Sequence, residues 1–193
     1  MNKAVFLDRD GVINKEINLL NDINQLEILS NVNKAIKILN DLGFYVIIVT
    51  NQPQVARGLL TEVGVKKINN HLKKLLEDGG AKIDAIYYCP HHPERHHPDI
   101  KPEFIKYRIE CECRKPKIGM LLEAKKKFNL DLKSSFMIGD QTIDIQTGKN
   151  AGCKTILVKT GYGGSDGKFD VKPDFVCEDL YNAAKLIENL VSE

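Results

Sequence analysis

The sequence predicts an α/β protein, an open doubly wound parallel sheet with helices on both faces. Three observations lead there. Short apolar, β-branched runs alternate with segments of helical period almost from end to end. The central runs are continuous in hydrophobicity rather than alternating, as in strands covered on both faces. At 193 residues the chain suffices for one well-buried domain spanning 1–193, with at most a small insert.

Each element has its own signal. "KAVFLD" (3–8) is a short buried strand. Ser30 is expected to cap a helix whose apolar face is Val32, Ala35, Ile36 and Leu39, with Gly43 as its stop. "FYVIIVT" (44–50) is a central strand, and "NQPQVARGL" (51–59) a loop punctuated by Pro53 and Gly58. Thr61 starts a second helix, with Val65, Ile68, Leu72, Leu75 and Leu76 on one face and Gly79–Gly80 at its end. "IDAIYY" (83–88) is a strand, and 89–116 is an irregular stretch rich in Cys, His and Pro. A helix follows Pro116 through Leu121, Leu122, Ala124 and Phe128. "SFMIGD" (135–140) and "KTILVK" (154–159) are strands around a helix that runs to about Asn150. "GYGGSDG" is a loop, "DFVC" (174–177) an edge strand, and 178–191 the closing helix.

Composition excludes several roles. Net charge is only +2, which gives no polycation for nucleic acid. No apolar run reaches the ~18–20 residues of a membrane span. Asp8, Arg9 and Asp10 interrupt any secretory pattern at the N-terminus, so a cytoplasmic protein without membrane partners is expected. The five cysteines are unevenly spaced and, in a reducing compartment, read as metal ligands or small apolar residues rather than disulfides. Cys153 and Cys177 fall in core or strand positions and are of the second kind.

In parallel sheets, ligands bind at the carboxyl ends of the strands. Asp8 and Asp10 leave the first strand, Thr50 and Asn51 the second, and Asp140 the "SFMIGD" strand, with Asp144 one helical turn later. A lone aspartate after a strand is usually a turn or a helix cap. Carboxylates gathered from several strand ends need a cation, and hard oxygen donors select Mg²⁺. Asp-x-Asp-Gly alone also resembles a calcium loop, but the closing glutamate of an EF-hand is missing at its place. Mg²⁺ held by few carboxylates usually completes its shell with a substrate phosphate, for which Lys115 in "CRKP" supplies a point charge.

"DRDGV", "VTN", the lysine of "CRKP" and "IGDQTID" together resemble, in order, the four motifs of the haloacid dehalogenase superfamily of phosphotransferases. The resemblance covers roughly residues 4–160 and implies the Rossmann-like fold of that superfamily. It implies Asp8 as nucleophile and Asp10 as general acid and then base. It also implies Thr50 and Lys115 on the phosphoryl oxygens, and Mg²⁺ on Asp8, the Asp10 carbonyl and Asp140.

"CPHH" (89–92) and "CEC" (111–113) place Cys89, His91, Cys111 and Cys113 as a Cys₃His set suited to tetrahedral Zn²⁺. His92 competes for the histidine place, and His96 and His97 are further alternatives. The loop has almost no apolar residues of its own, so a metal would account for its order. A zinc loop (89–113) standing in place of a large cap and ending in "CRKP" resembles the D-glycero-D-manno-heptose 1,7-bisphosphate 7-phosphatases and the related histidinol-phosphate phosphatases. "IYYCPHHP" and "NQPQVARG" look like the heptose enzymes. That resemblance implies Mg²⁺-dependent removal of the 7-phosphate in nucleotide-heptose biosynthesis, with Asn51, Arg57 and Arg114 as substrate contacts in a monomeric enzyme. Three features depart from the pattern. Val12 follows "DRDG", and Gln141 stands where the heptose enzymes often carry a lysine. The zinc loop carries an extra "ERHHPDIKPEFIKYRIE", whose Lys101, Lys106 and Arg108 read first as a solvated face. The rivals are histidinol-phosphate phosphatase, a DNA-end 3′-phosphatase that would need a basic groove, and a non-catalytic zinc module that binds a protein or nucleic acid.

Overall fold

The computed structural model describes residues 1–93 and 101–192. In chain order the strands are β1 (Ala4–Leu7), β2 (Tyr45–Asn51), β3 (Ala85–Cys89), β4 (Phe136–Gly139), β5 (Lys154–Val158) and β6 (Phe175–Cys177). The helices are α1 (Val32–Asp41), α2 (Glu62–Asp78), α3 (Pro102–Ile105), α4 (Gly119–Phe128), α5 (Thr142–Ala151) and α6 (Leu180–Ser192). Five parallel pairings join the strands in the order β3-β2-β1-β4-β5-β6.

Parallel pairing follows from the continuous apolar runs, because both faces of the sheet are covered. Val5, Leu7, Val46, Ile48, Phe136 and Ile138 face one layer, built from α1, α2 and α6. Ala4, Phe6, Ile47, Val49 and Met137 face the other, where α4 presents Met120, Leu121 and Ala124. Helix α5 lies on this second side, so near the sheet that a Cβ on Gly148 would overlap Met137 and Thr155. The chain runs outward from β1 through β2 to β3, then returns to lay β4, β5 and β6 on the other side. The order reverses between β1 and β4, which leaves a crevice above their carboxyl ends.

The expected strands and longer helices are all present, with no end displaced by more than three residues. Thr61 caps α2 as expected, its hydroxyl accepting from the Gly64 amide. Ser30 does not cap α1. The cap position belongs to Asn31, which sits in the left-handed region at φ 61°, a conformation asparagine tolerates better than serine. Helix α3 lies inside the stretch expected to be irregular; its signal is the proline at its first turn. Among the described residues, no helix is long and apolar enough to cross a membrane.

Helix α1 packs on α6, and its Leu39 is fully buried. Leu39→Ala should lower unfolding stability by about 2–5 kcal/mol. Urea denaturation checks this, with the crevice at the strand ends unaffected.

Candidate active site

Three chain segments meet at the crevice through one lysine. The Lys115 ammonium lies 2.9 Å from Asp8 Oδ1 and 2.6 Å from Asp144 Oδ1, and donates to the Val49 carbonyl at 3.0 Å. Its three protons are thereby used. The segment is set in place by Asn51, whose side-chain amide accepts from the Lys115 amide at 3.1 Å and donates to its carbonyl at 3.2 Å. Asn51 borders the cavity, but both ends of its amide hold Lys115.

Asp140 is fully buried at the end of β4. One carboxylate oxygen accepts from the Tyr162 amide at 2.8 Å; Oδ1 has no partner among the described residues. A Cβ on Gly11 or on Gly161 would overlap this carboxylate. Both glycines have positive φ, +82° and +62°, so they supply the close approach and the backbone turn together. Carboxylate oxygens of Asp8, Asp140 and Asp144 lie within 4.8 Å of one another. With all three carboxylates ionised, the one ammonium would leave an excess of two negative charges, which one divalent cation would match. Burial, Asp8 and Asp144 push the Asp140 carboxyl up to about 9. Burial and Asp8 push Asp144 up to about 7 despite Lys115. The unpartnered Oδ1 and the all-oxygen donor set fit Mg²⁺.

Asp10 lies two residues on, in a different environment. Arg9 is fully buried and reaches both Asp10 oxygens, at 3.1 Å from Nε and 2.8 Å from Nη2. Asn69 and Gln52 accept from the rest of the guanidinium, each at 2.9 Å. Asn14 and Gln52 donate to Asp10 at 2.9 and 3.0 Å, and Gln52 also donates to the Thr50 hydroxyl at 2.9 Å. Burial by itself would raise the Asp10 carboxyl, but the Arg9 charge and these bonds outweigh it and hold it below its ordinary value. Asp8, Asp10, Thr50, Arg57, Arg114 and Lys115 all line one cavity of about 290 Å³.

Cys89, His91, Cys111 and Cys113 gather beside this cavity. The Sγ–Sγ distances are 3.1, 3.3 and 3.5 Å, and His91 Nδ1 lies 3.3 Å from Cys113 Sγ and 3.7 Å from Cys89 Sγ. A disulfide would need ~2.05 Å; Zn–S bonds of ~2.3 Å in a tetrahedron place sulfurs ~3.8 Å apart, nearer to the observed spacings than a disulfide is, though each of these is shorter. Three thiols and an imidazole fit zinc. His92 instead lines the cavity, while His96 and His97 lie outside the described residues. Lys101 and Lys106 are exposed, and Arg108 donates to the Ala56 carbonyl at 3.0 Å, tying this segment to the loop that carries Arg57.

Comparison with known proteins adds to this geometry. Residues 112–183 match the family model described as HAD-hydrolase-like. The D-glycero-alpha-D-manno-heptose-1,7-bisphosphate 7-phosphatase of Photorhabdus laumondii is 40% identical over 187 residues, 96% of this chain and 97% of the relative. The D-glycero-beta-D-manno-heptose-1,7-bisphosphate 7-phosphatase of Pasteurella multocida is 40% identical over the full length of both. The chain belongs to the D-glycero-D-manno-heptose-1,7-bisphosphate 7-phosphatase family of haloacid dehalogenase-like hydrolases. Like its relatives, it is a phosphoric monoester hydrolase. A solved structure of a D,D-heptose 1,7-bisphosphate phosphatase from B. bronchiseptica, complexed with magnesium and phosphate, superposes with a TM-score of 0.80. It is 30% identical and covers 97% of this chain and 99% of its own.

The structure brings Asp8, Asp10, Thr50, Asn51, Arg57, Arg114, Lys115 and Asp140 to one place. Sequence reasoning gave no role to Arg9, Gln52, Asn14 or Asn69, which fix Asp10. The available signal was Arg9 itself, since an arginine between two aspartates at the end of a buried strand must be paired. The spacing puts Asp144 one turn beyond Asp140, and the structure adds that it is the second partner of Lys115.

Lys115→Met should destabilise the metal-free phosphatase by roughly 3–5 kcal/mol, because it leaves buried carboxylates without their cation. Urea denaturation in chelator measures this, and a loss below about 1 kcal/mol would contradict the pairing.

Proposed function

We propose that the chain removes the 7-phosphate of a D-glycero-D-manno-heptose 1,7-bisphosphate through an aspartyl-phosphate on Asp8. The observation that carries the reading is the convergence of Asp8, Lys115 and Asp140 on one buried point beside a separately held Asp10. In the first step an Asp8 carboxylate oxygen bonds to phosphorus as the bond to the sugar oxygen breaks. Asp10 gives that leaving oxygen its proton. In the second, the Asp10 carboxylate takes a proton from water as the water oxygen attacks phosphorus, which releases orthophosphate and restores Asp8. General acid–base help of this kind is typically worth ~10²–10⁴ in rate.

Arg9 holds Asp10 ionised when no substrate is bound, the form that acts as base. An incoming phosphate dianion raises the proton affinity of a neighbouring carboxylate, which favours the acid form needed first. A phosphoryl group on Asp8 would take the place of the Asp8 carboxylate as one partner of the Lys115 ammonium, and the Thr50 hydroxyl borders the same cavity. Asp8, the Asp10 carbonyl and Asp140 would hold Mg²⁺, which supplies positive charge against the anionic group in transfer. Asp144 keeps Lys115 charged and aimed. Arg57 and Arg114 line the outer cavity as the contacts to the sugar's other phosphate.

Cys89, His91, Cys111 and Cys113 hold Zn²⁺ in this reading, and the zinc segment fixes Arg114, whose guanidinium donates to the His91 carbonyl at 3.0 Å. The enzyme is one catalytic domain with this segment in place of a cap, and works as a cytoplasmic monomer supplying nucleotide-activated heptose. The two relatives named above are equally similar and differ in anomer, so the preference at C1 is to be measured with both anomers.

Asp8→Asn should reduce hydrolysis to background while the protein stays folded; turnover by the pure, folded variant would end the nucleophile assignment. Assayed side by side with Mg²⁺, the heptose bisphosphate should give a far higher kcat/KM than histidinol phosphate, and the reverse order would transfer the assignment. Protein purified without chelator should carry about one zinc per chain. Cys113→Ser should lose it, with a lower thermal midpoint and a larger change in KM than in kcat. Zinc-free wild-type protein of unchanged midpoint would sink the zinc centre.

A further inference from the structure

We propose that Lys168 is a specificity-determining residue whose ammonium meets the anionic group that the substrate carries away from the ester being cut. This rests on the sugar bisphosphate reading above. Lys168 lies in the segment between β5 and β6, which folds back over the crevice. The segment is tied down on both sides of Lys168. The Gly164 amide donates to the Asp140 carbonyl at 2.7 Å. Asp166 accepts from the Thr142 amide and hydroxyl at 2.7 and 2.9 Å, and the Phe169 amide donates to that hydroxyl at 3.1 Å. These bonds fix where Lys168 leaves the backbone, at the start of α5.

Its side chain then reaches Gln141, donating to Oε1 at 2.7 Å, and both residues line the cavity that contains Asp8. The partner is a neutral amide, so the lysine is oriented without being neutralised. Lys115 differs in this respect, since Asp8 and Asp144 compensate its charge inside the site. Lys168, Arg114 and Ile143 also line an adjoining groove of about 370 Å³ that includes Phe169 and Pro116. Lys168 therefore stands where the two hollows meet. A substrate longer than one phosphoryl group, with its ester phosphate at Asp8, extends into a cavity that Lys168 helps to wall, and a second phosphate reaching Lys168 would exchange a neutral partner for an anionic one.

The rival explanation is a surface tether that merely holds the segment to Gln141. Lys168→Gln separates the two, because it keeps a donor for Gln141 and removes only the charge. The measurement is the ratio of kcat/KM on the heptose bisphosphate to that on p-nitrophenyl phosphate, which has no second anion. Lys168→Gln and Lys168→Ala should each lower that ratio ~10- to 100-fold, mainly through KM on the bisphosphate, and Lys168→Arg should keep most of it. Because the two side-chain ends are 2.7 Å apart, Gln141→Lys added to Lys168→Ala should recover much of the ratio. An unchanged ratio in Lys168→Gln, or an equal loss on both substrates, overturns the inference while leaving the heptose reading in place. Wild-type enzyme that cleaves the aryl ester but not the bisphosphate overturns the heptose reading and Lys168 with it.

Discussion

The structure depends on one buried ammonium. Lys115 bridges Asp8 at 2.9 Å and Asp144 at 2.6 Å, so it joins the segment after β1 to the first turn of α5 from a third part of the chain. Charges out of water are tolerated only when paired and hydrogen-bonded. Here the pairing is incomplete by design of the donor count: Asp140 joins the same cluster, and its Oδ1 has no partner among the described residues. The fold therefore carries an unmet demand for positive charge at one buried point. Backbone rather than side chain makes the room, since Gly11 and Gly161 let two turns close on the Asp140 carboxylate.

Sheet topology explains why the demand falls there. The order reverses between β1 and β4, and the two strands end in Asp8 and Asp140. Segments that leave adjacent strands at a reversal diverge to opposite faces, so the gap between them is not filled by either helix layer. Apolar burial on both faces of the sheet keeps the carboxylates close together there despite their mutual repulsion. The Cys₃His cluster extends the same logic outward: a segment poor in apolar side chains is organised around polar donors, and it delivers Arg114 and Lys115 directly after Cys113.

Much of this was legible in the sequence, because parallel strands are written as continuous apolar runs and their ends as abrupt polar residues. Asp8, Thr50 and Asp140 could be placed at strand ends before any coordinates. What could not be read were pairings across long separations. The bond from Arg9 to Asn69 spans 60 residues, and nothing local to Asn69 distinguishes it from other polar positions of α2. Helix α3 and the left-handed Asn31 were missed because a four-residue helix has no period to detect and an αL cap is an alternative to the side-chain cap that Ser30 suggested. The histidine of the Cys₃His cluster was ambiguous for a similar reason: His91 and His92 are neighbours, and only the fold shows that the first joins the thiols and the second lines the cavity.

Two adjacent aspartates that must perform different chemistry need different surroundings, and the "DRD" sequence achieves this with one intervening residue. Asp8 turns to Lys115 and the acidic cluster; Asp10 turns to Arg9, Asn14 and Gln52. Separate environments let one carboxylate serve as nucleophile beside a cation while the other exchanges a proton. Arg9 is the element that makes the division possible. Its guanidinium is buried and shared among Asp10, Asn69 and Gln52, so it anchors Asp10 to α2 and to the loop after β2 rather than to the acidic cluster. Gln52 closes the link by touching both Asp10 and the Thr50 hydroxyl. A displacement of the proton-exchanging carboxylate is thereby coupled to the hydroxyl proposed to meet the phosphoryl group. The two halves of the proposed reaction are geometrically dependent on each other through a glutamine whose side-chain hydrogen bonds, among the described residues, go to Arg9, Asp10 and Thr50.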